Sequence, residues 1–289
     1  MPKQLNYDLD LLMDEEGFDD FQEKMVKCLQ SAITALSEDP VATTTEQEAA
    51  RVASGLQDLI PNPKPDELGS FEDVWHGMIL ISSRIPHTND QSHMLLVKNL
   101  QALRRSESFL WKYLAQFSAI LRDHWVDPTF EWHPEDECLK LNQWLNLNSF
   151  VARLHGSGVF TRNSFLLWQL EQGLEDDLAA NAKGDCSPAE AVDNRVAVAC
   201  EYLIHTAPAL LRESLLETGD QLSDEKVRRS YAGGPLFSGG PGFNTERWGF
   251  WKRRLGELRS TVSDGLALTV DRALESMKAA AAALIGELG

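Results

Sequence analysis

The sequence contains no long apolar run and few cysteines. No stretch reaches the roughly 18 consecutive apolar residues of a membrane-spanning helix, so we expect no membrane association. The N-terminus is acidic and lacks the features of a secretory signal. The four cysteines are far apart and include no C-x-x-C pair, which argues against a disulfide framework and a zinc site. These absences predict a cytoplasmic or nuclear protein with reduced thiols.

Sequence motifs for catalysis are also missing. The chain has no G-x-S-x-G nucleophile motif, no H-E-x-x-H zinc motif and no glycine-rich loop that ends in Gly-Lys-Ser/Thr. The acidic run Glu175–Asp177 lacks the D-D-x-x-D form of a helical magnesium site, so we predict a solvated helix end there. We therefore expect no metal and no cofactor, and the sequence leaves open whether the protein is an enzyme.

Charge is strongly one-sided. The 289 residues carry a formal net charge of −17, which repels phosphate backbones and anionic lipids, so we expect neither nucleic acid nor membrane as a partner. The window from Lys226 to Arg259 is the exception, with eight Lys or Arg against two Glu. This basic segment either docks on the acidic remainder of the chain or binds an anionic ligand or acidic partner.

Apolar residues recur at three- and four-residue steps along nearly the whole chain, which is the period of a helix face. No stretch alternates apolar and polar residues as a strand would. We predict an all-α globular bundle of about ten helices without significant β-sheet. An acidic tail, residues 1–17, precedes a single helical domain, residues 18–289. A sub-boundary at 61–69 and a Gly-rich loop at 230–243 are its expected interruptions.

Capping residues and prolines predict where individual helices begin and end. The expected starts are the threonines at 43–45, Ser70, Pro134, Ser187–Pro188, and Asn244 or Thr245. We also predict one helix from about Ser108 to Trp125, another from about Asn163 to Ala180, and a bend or restart at Pro208.

The first of two unusual segments is Trp144–Leu154, with the sequence WLNLNSFVARL. Helical spacing puts Trp144, Asn148 and Val151 on one face, with Arg153 on a neighbouring face. An amide among Trp and Leu must find hydrogen-bond partners, because an unpaired buried amide costs about 1–3 kcal/mol. Asn148 therefore either holds a neighbouring helix in register or binds a ligand.

The second segment is Gly242–Leu255, with the sequence GFNTERWGFWKRRL. Trp248 and Trp251 share a helix face, and Arg247 lies four residues before Trp251. An arginine over an indole ring forms a favourable cation–π pair. Such a row is either a packing seam or the lining of a cavity for a flat or anionic small molecule.

These two segments, together with Trp75 and the apolar helix after it, resemble a fungal family known as domain of unknown function 3632. The likeness covers about residues 70–260. It implies an intracellular fungal protein and supplies no catalytic residues.

Three functions follow as hypotheses. The first is a helical protein that binds a small aromatic or anionic molecule in a pocket where the Trp144 and Trp248 helices meet. Its predicted binding residues are Trp144, Asn148, Arg153, Arg247, Trp248 and Trp251, with the Gly-rich loop as a gate. The second is a protein–protein interaction scaffold with an acidic surface. The third is a motif-less enzyme of secondary metabolism, for which His155 and Glu246 are the first residues to inspect. The oligomeric state stays open.

Overall fold

The computed structural model describes residues 17–38, 44–61, 69–130, 139–161, 163–178, 186–217 and 225–288. These ranges are mainly helical and contain no strand, which confirms the all-α prediction. The α-helices are α1 (Asp20–Glu38), α2 (Thr45–Leu59), α3 (Gly69–Arg84), α4 (Asp90–Leu103), α5 (Phe109–Lys112), α6 (Phe117–Asp123), α7 (Leu141–Gly156), α8 (Asn163–Leu170), α9 (Pro188–Leu215), α10 (Glu225–Ser230), α11 (Thr245–Leu258) and α12 (Asp264–Leu288). A π-helix, Glu171–Glu175, follows α8 directly.

The chain divides into two compact units. Unit 1 holds residues up to 126 together with 142–150, and unit 2 holds 127–141 together with the residues from 151 onwards. The expected tail, residues 1–17, lies outside the described residues except for Gly17, and most of the expected sub-boundary at 61–69 is also outside them. No helix in the described ranges is long and apolar enough to cross a membrane.

Unit 1 is built around the aromatic side chain of Trp75 in α3. The ring is fully buried, and its neighbours are Phe71 of the same helix, Trp111 of α5 and Phe117 of α6, at centroid distances of 6.3, 5.8 and 5.5 Å. The indole N–H donates to the carbonyl oxygen of Ala115. Aromatic pairs with tilted and edge-on geometry stabilise a core beyond the area that they bury, so this cluster holds α3, α5 and α6 together.

Unit 2 is organised around α9. Seven of the eight residues from 196 to 203 in this helix are buried, as is typical of a helix surrounded by others. It packs against α8, the π-helix, α11 and α12. The π-helix comes especially close, because a Cβ added at Gly173 would lie 2.6 Å from the carbonyl oxygen of Arg195. Only glycine fits at that contact.

Three of the predicted helix starts are confirmed by side-chain caps. Thr44 and Ser187 each form a capping box with the residue three positions later, and Asn244 accepts from the backbone N–H of Arg247. The N-cap predicted at Ser70 is wrong, because α3 begins at Gly69 and Ser70 already lies within it. Pro134 lies outside the described residues.

Two helix predictions are wrong in a common way. The helix expected over 108–125 is interrupted after Lys112, where Leu114 and Gln116 adopt left-handed backbone conformations with φ of 48° and 64°. The helix expected over 163–180 changes to π-helix at Glu171 and ends at Glu175. In both places tertiary packing overrides local helix propensity. By contrast, α9 continues through Pro208 without restarting.

Candidate functional site

Glu175, at the end of the π-helix, forms a buried ion pair with Arg247 of α11. Both side chains are fully buried, and the guanidinium contacts both carboxylate oxygens, with Nε–Oε1 of 2.6 Å and Nη2–Oε2 of 2.9 Å. The indole N–H of Trp251 donates to the same Oε1 at 2.6 Å. Buried charges persist when they are paired and hydrogen-bonded in this manner.

Every N–H of the Arg247 guanidinium has an acceptor. Besides Glu175, the acceptors are backbone carbonyl oxygens: Nη1 donates to Tyr231 and Gly242, and Nη2 donates to Ala232. The guanidinium also lies 5.6 Å from the ring of Trp251, as the predicted cation–π pair requires. All five donors of this arginine are therefore used within the fold.

The same carboxylate anchors the Gly-rich loop. The backbone N–H of Gly234 donates to Oε2 of Glu175, and the N–H of Leu236 donates to its carbonyl oxygen, both at 2.8 Å. Together with the carbonyls that Arg247 binds, these bonds fix the loop over residues 231–242 from both sides. The π-helix, the loop and α11 thus share one polar centre.

The prediction that Glu175 belongs to a solvated helix end is wrong, because this side chain is fully buried. Asp176 is half-buried and Asp177 is exposed. Burial of the Glu175 carboxylate is favourable because of the π-helical turn and because Arg247, 72 residues later in the chain, supplies its counter-ion. Neither feature is visible in the sequence around Glu175.

Trp248 differs from Trp251. It is half-buried and packs against a small apolar cluster formed by Ala207 and Leu211 of α9 and Ala280 of α12. The two tryptophans share a helix but serve different contacts, one polar and one apolar. Glu246, which the enzyme hypothesis singles out, is exposed.

The predicted residues of the first segment lie mainly in unit 1. Trp144 is buried against Trp125, with ring centroids 4.9 Å apart, and the buried Asn148 donates from Nδ2 to the Trp144 carbonyl oxygen. Asn146, which the sequence analysis passes over, instead bridges helices: it donates to the Ser83 carbonyl and accepts from the His87 N–H. Asn146 thus joins α7 to the Ser83–His87 segment, whereas the bond from Asn148 to Trp144 stays within α7. Which of its two alternative roles Asn148 has stays a prediction.

Arg153 lies in unit 2 and contacts Glu201 of α9. Its Nη1 is 3.5 Å from Oε2 of Glu201, and Nε2 of His205 approaches the same oxygen at 3.4 Å. Arg153 and Glu201 are buried, while His205 is half-buried. Close to this group the helices come into backbone contact, because a Cβ at Gly156 would lie 2.1 Å from the carbonyl oxygen of His205.

His155 lies beside that contact between helices. Its side chain is buried, and Nε2 has no hydrogen-bond partner. Burial lowers the pKa of His155 from 6.5 to about 4, so the imidazole is neutral at pH 7. A buried polar atom without a protein partner is a position at which a hydrogen-bonding group of a ligand or a water would be stabilised.

A row of aromatic rings leads away from His155. Phe160 lies 5.1 Å from the imidazole, Phe165 lies 5.7 Å from Phe160, and Trp168 lies 5.5 Å from Phe165. The first two phenylalanines are buried, whereas Trp168 is half-buried. We call these four side chains the His155 row; it runs from the buried imidazole to the half-buried ring of Trp168.

The sequence indicates both unusual segments, including Arg247, Trp251 and Arg153. It does not indicate the carboxylates that these side chains contact, which are those of Glu175 and Glu201. One signal was available: Glu201 and His205 are four apart, a spacing that pairs side chains on a helix. Among the described residues no three His, Cys, Asp or Glu side chains form a metal-binding group.

The structure brings together Arg247 and Trp251 within unit 2, and Trp144 and Asn148 within unit 1. Whether the six predicted residues bind a ligand stays a prediction. A family model described as "Protein of unknown function (DUF3632)" matches residues 75–255, which is more than half of the chain. No curated protein and no solved structure matches. Both unusual segments fall inside the matched range, and the chain therefore belongs to the DUF3632 family.

Proposed function

We propose that the protein binds a small, flat, uncharged molecule with a hydroxyl group at the His155 row of unit 2. The observation that carries this proposal is the buried Nε2 of His155, which has no hydrogen-bond partner. A ligand hydroxyl that bonds to this atom removes the desolvation penalty of about 1–3 kcal/mol that an unpaired buried polar atom carries.

The protonation state of His155 supports an uncharged ligand. With its pKa lowered to about 4 by burial, the imidazole is neutral at pH 7 and offers no positive charge to an anion. The nearby cation, Arg153, faces the carboxylate of Glu201. A hydroxyl suits the site because it both donates and accepts, and so it pairs with either tautomer of a neutral imidazole.

The neighbouring rings support a flat ligand. Phe160, Phe165 and Trp168 stand at angles between 46° and 69° to their neighbours in the His155 row. Aromatic rings favour tilted and edge-on contacts with one another, so a ligand ring placed against this row would be stabilised in the same way. Ligand sites in proteins typically combine such an apolar lining with very few polar groups.

The Arg247–Trp251 pair supports this choice by contrast. Its guanidinium and indole donors are all bonded to Glu175 or to backbone carbonyls, so an anionic ligand there would have to displace internal bonds. Of the sequence-predicted residues, Arg153 is the one nearest in the chain to the proposed site.

Two probes of matched shape test the proposal: p-cresol, which carries a hydroxyl, and p-xylene, which does not. The full chain is labelled with ¹⁵N-histidine, and the ring nitrogen signals of His155 are followed by NMR during titration. We expect p-cresol to shift the Nε2 signal and to bind about tenfold more tightly than p-xylene, because one buried hydrogen bond distinguishes them.

His155→Leu should abolish the preference for p-cresol, while His87→Gln, which alters a histidine of unit 1, should retain it. Equal affinity for the two probes, or an unchanged His155 signal, contradicts the proposal.

A further inference from the structure

Two aromatic rings stand exposed side by side on unit 1. Phe109 is 69% exposed and Tyr113 is 62% exposed, and their centroids are 4.7 Å apart. Adjacent exposed aromatics differ from singly scattered surface leucines, because aromatic side chains supply much of the binding energy at protein interfaces. We name Phe109, Tyr113 and Lys112, with the exposed Arg105 four residues before Phe109 in the chain, the α5 platform.

The side opposite to these rings is firmly packed. Leu110 and Trp111, which lie between the two exposed residues in sequence, are buried. The Trp111 ring lies 4.5 Å from Phe71 and 5.8 Å from Trp75. The backbone that carries the platform therefore rests on the aromatic core of unit 1, which limits the backbone entropy lost on binding.

The backbone after Lys112 is strained. Leu114 and Gln116 both have positive φ, a conformation that residues other than glycine rarely adopt. Two hydrogen bonds to Ala115 maintain it: the N–H of Ala115 donates to the Leu110 carbonyl, and the indole N–H of Trp75 donates to the Ala115 carbonyl. Such strain is found mainly at functional sites, where it serves the function.

The platform is basic in an acidic protein. Residues 104–116 carry three Arg or Lys and one Glu, whereas the whole chain has a net charge of −17. Lys112 lies over the Tyr113 ring, at 5.9 Å from its centroid. No ion pair of Arg105 or Lys112 is found among the described residues. The charges of Arg105 and Lys112 can therefore face an acidic partner.

We propose that the α5 platform docks an acidic, leucine-containing segment of a partner protein. Apolar side chains of the partner pack on Phe109 and Tyr113, while its carboxylates approach Arg105 and Lys112. A second copy of this chain is the weaker choice, because two platforms placed face to face would bring like charges together. The inference concerns unit 1 and is independent of the ligand proposed for the His155 row.

Binding of a fluorescein-labelled peptide with the sequence DELLDELLDE to the full chain tests the proposal. A matched peptide with serine at every leucine has the same charge but no apolar side chains. We expect the leucine peptide to bind at least tenfold more tightly than the serine peptide, and we expect both to weaken as salt rises.

Phe109→Ala combined with Tyr113→Ala should weaken binding of the leucine peptide at least tenfold. Because both side chains are exposed, this double variant should keep the wild-type circular dichroism spectrum. Lys112→Glu should slow association and weaken binding most at low salt. Leu268→Ala, which removes an equally exposed side chain from unit 2, is the matched control and should bind like wild type.

Three results would overturn the inference. The first is no binding of the leucine peptide at about 100 µM, a concentration at which even weak interfaces are measurably occupied. The second is equal binding of the leucine and serine peptides. The third is evidence that something else occupies the platform. A dimer that is lost in the double variant would identify a second copy of the chain as the occupant. Tighter peptide binding after Leu11→Ser and Leu12→Ser in the full chain would identify the chain's own N-terminal residues as the occupant.

Discussion

Glu175 and Arg247 lie 72 residues apart in sequence and form a two-contact ion pair that is closed off from solvent. The pair also collects the indole N–H of Trp251 and the backbone of the Gly-rich loop. This ion pair is the polar centre of unit 2. Its removal should mainly lower the free energy of unfolding.

Glu175→Gln should lower the free energy of unfolding by about 3–5 kcal/mol, because it leaves the charge of Arg247 buried without its counter-ion. Urea unfolding followed by circular dichroism measures the change. Glu171→Gln is the matched control on the same π-helix. Burial and the nearby Glu175 raise the pKa of Glu171, so removing its charge should leave stability unchanged or slightly higher. Equal losses in both variants would contradict a specific role for the pair.

Trp251→Phe should destabilise unit 2 by about 1–2 kcal/mol, because the ring is largely kept and the hydrogen bond to Oε1 of Glu175 is lost. Trp248→Phe, a change of the same size in the same helix, should have the smaller effect, since Trp248 is half-buried in an apolar contact. Thermal unfolding of both variants measures the two losses of stability. A larger loss in Trp248→Phe than in Trp251→Phe would contradict the prediction.

Gly156→Ala should destabilise the protein by about 1–3 kcal/mol. The added methyl group would lie 2.1 Å from the His205 carbonyl oxygen, and both atoms belong to helices that must separate to admit it. At Gly256, in α11, no atom lies within 4 Å of an added Cβ. Gly256→Ala should therefore stabilise by about 0.5–1 kcal/mol through helix propensity. Urea unfolding measures both changes in the free energy of unfolding, and the prediction requires them to have opposite signs.

Stability should decline as pH falls from 6.5 towards 4. Burial, and then repulsion by His76, lower the pKa of His124 from 6.5 to about 4, so the folded protein favours the neutral imidazole. Between pH 6.5 and pH 4 the unfolded chain binds a proton at this histidine that the folded chain does not bind. The free energy of unfolding therefore decreases as the pH is lowered. The loss from His124 should be about 2–3 kcal/mol.

The ring contact behind that pKa is specific: Nδ1 of His76 and Nε2 of His124 are 2.7 Å apart. Asp123 acts in the opposite sense and raises the His124 pKa. His124→Gln should reduce the pH dependence relative to wild type in urea unfolding at several pH values, while His87→Gln should leave it intact. His155 titrates in the same direction and accounts for part of what remains.

Local sequence signals predicted the helices well where caps and apolar periodicity agree, as at Thr44 and Ser187. They failed where packing distorts the backbone. The break at Leu114 is held by a hydrogen bond from Trp75 to Ala115, which lies 40 residues later in the chain. The π-helix ends at a buried glutamate whose counter-ion lies 72 residues away. Neither long-range contact leaves a trace in the local pattern.

The candidate site shows the same division. Composition and spacing selected Arg247 and Trp251 as unusual, and their cation–π pairing follows from helical geometry. Spacing does not predict that Glu175 accepts hydrogen bonds from both of these side chains, that Nε2 of His155 has no partner, or that Phe109 and Tyr113 are exposed.

The sequence by itself determined the all-helical class, the main helix caps and the family, because these depend on residue periodicity and on motifs read along the chain. Tertiary structure decided which polar groups are buried, which of them find partners and which aromatic rings stay exposed. Those outcomes depend on contacts between residues far apart in the chain, where the free energy of burying a charge is set by its partner and not by its neighbours in sequence.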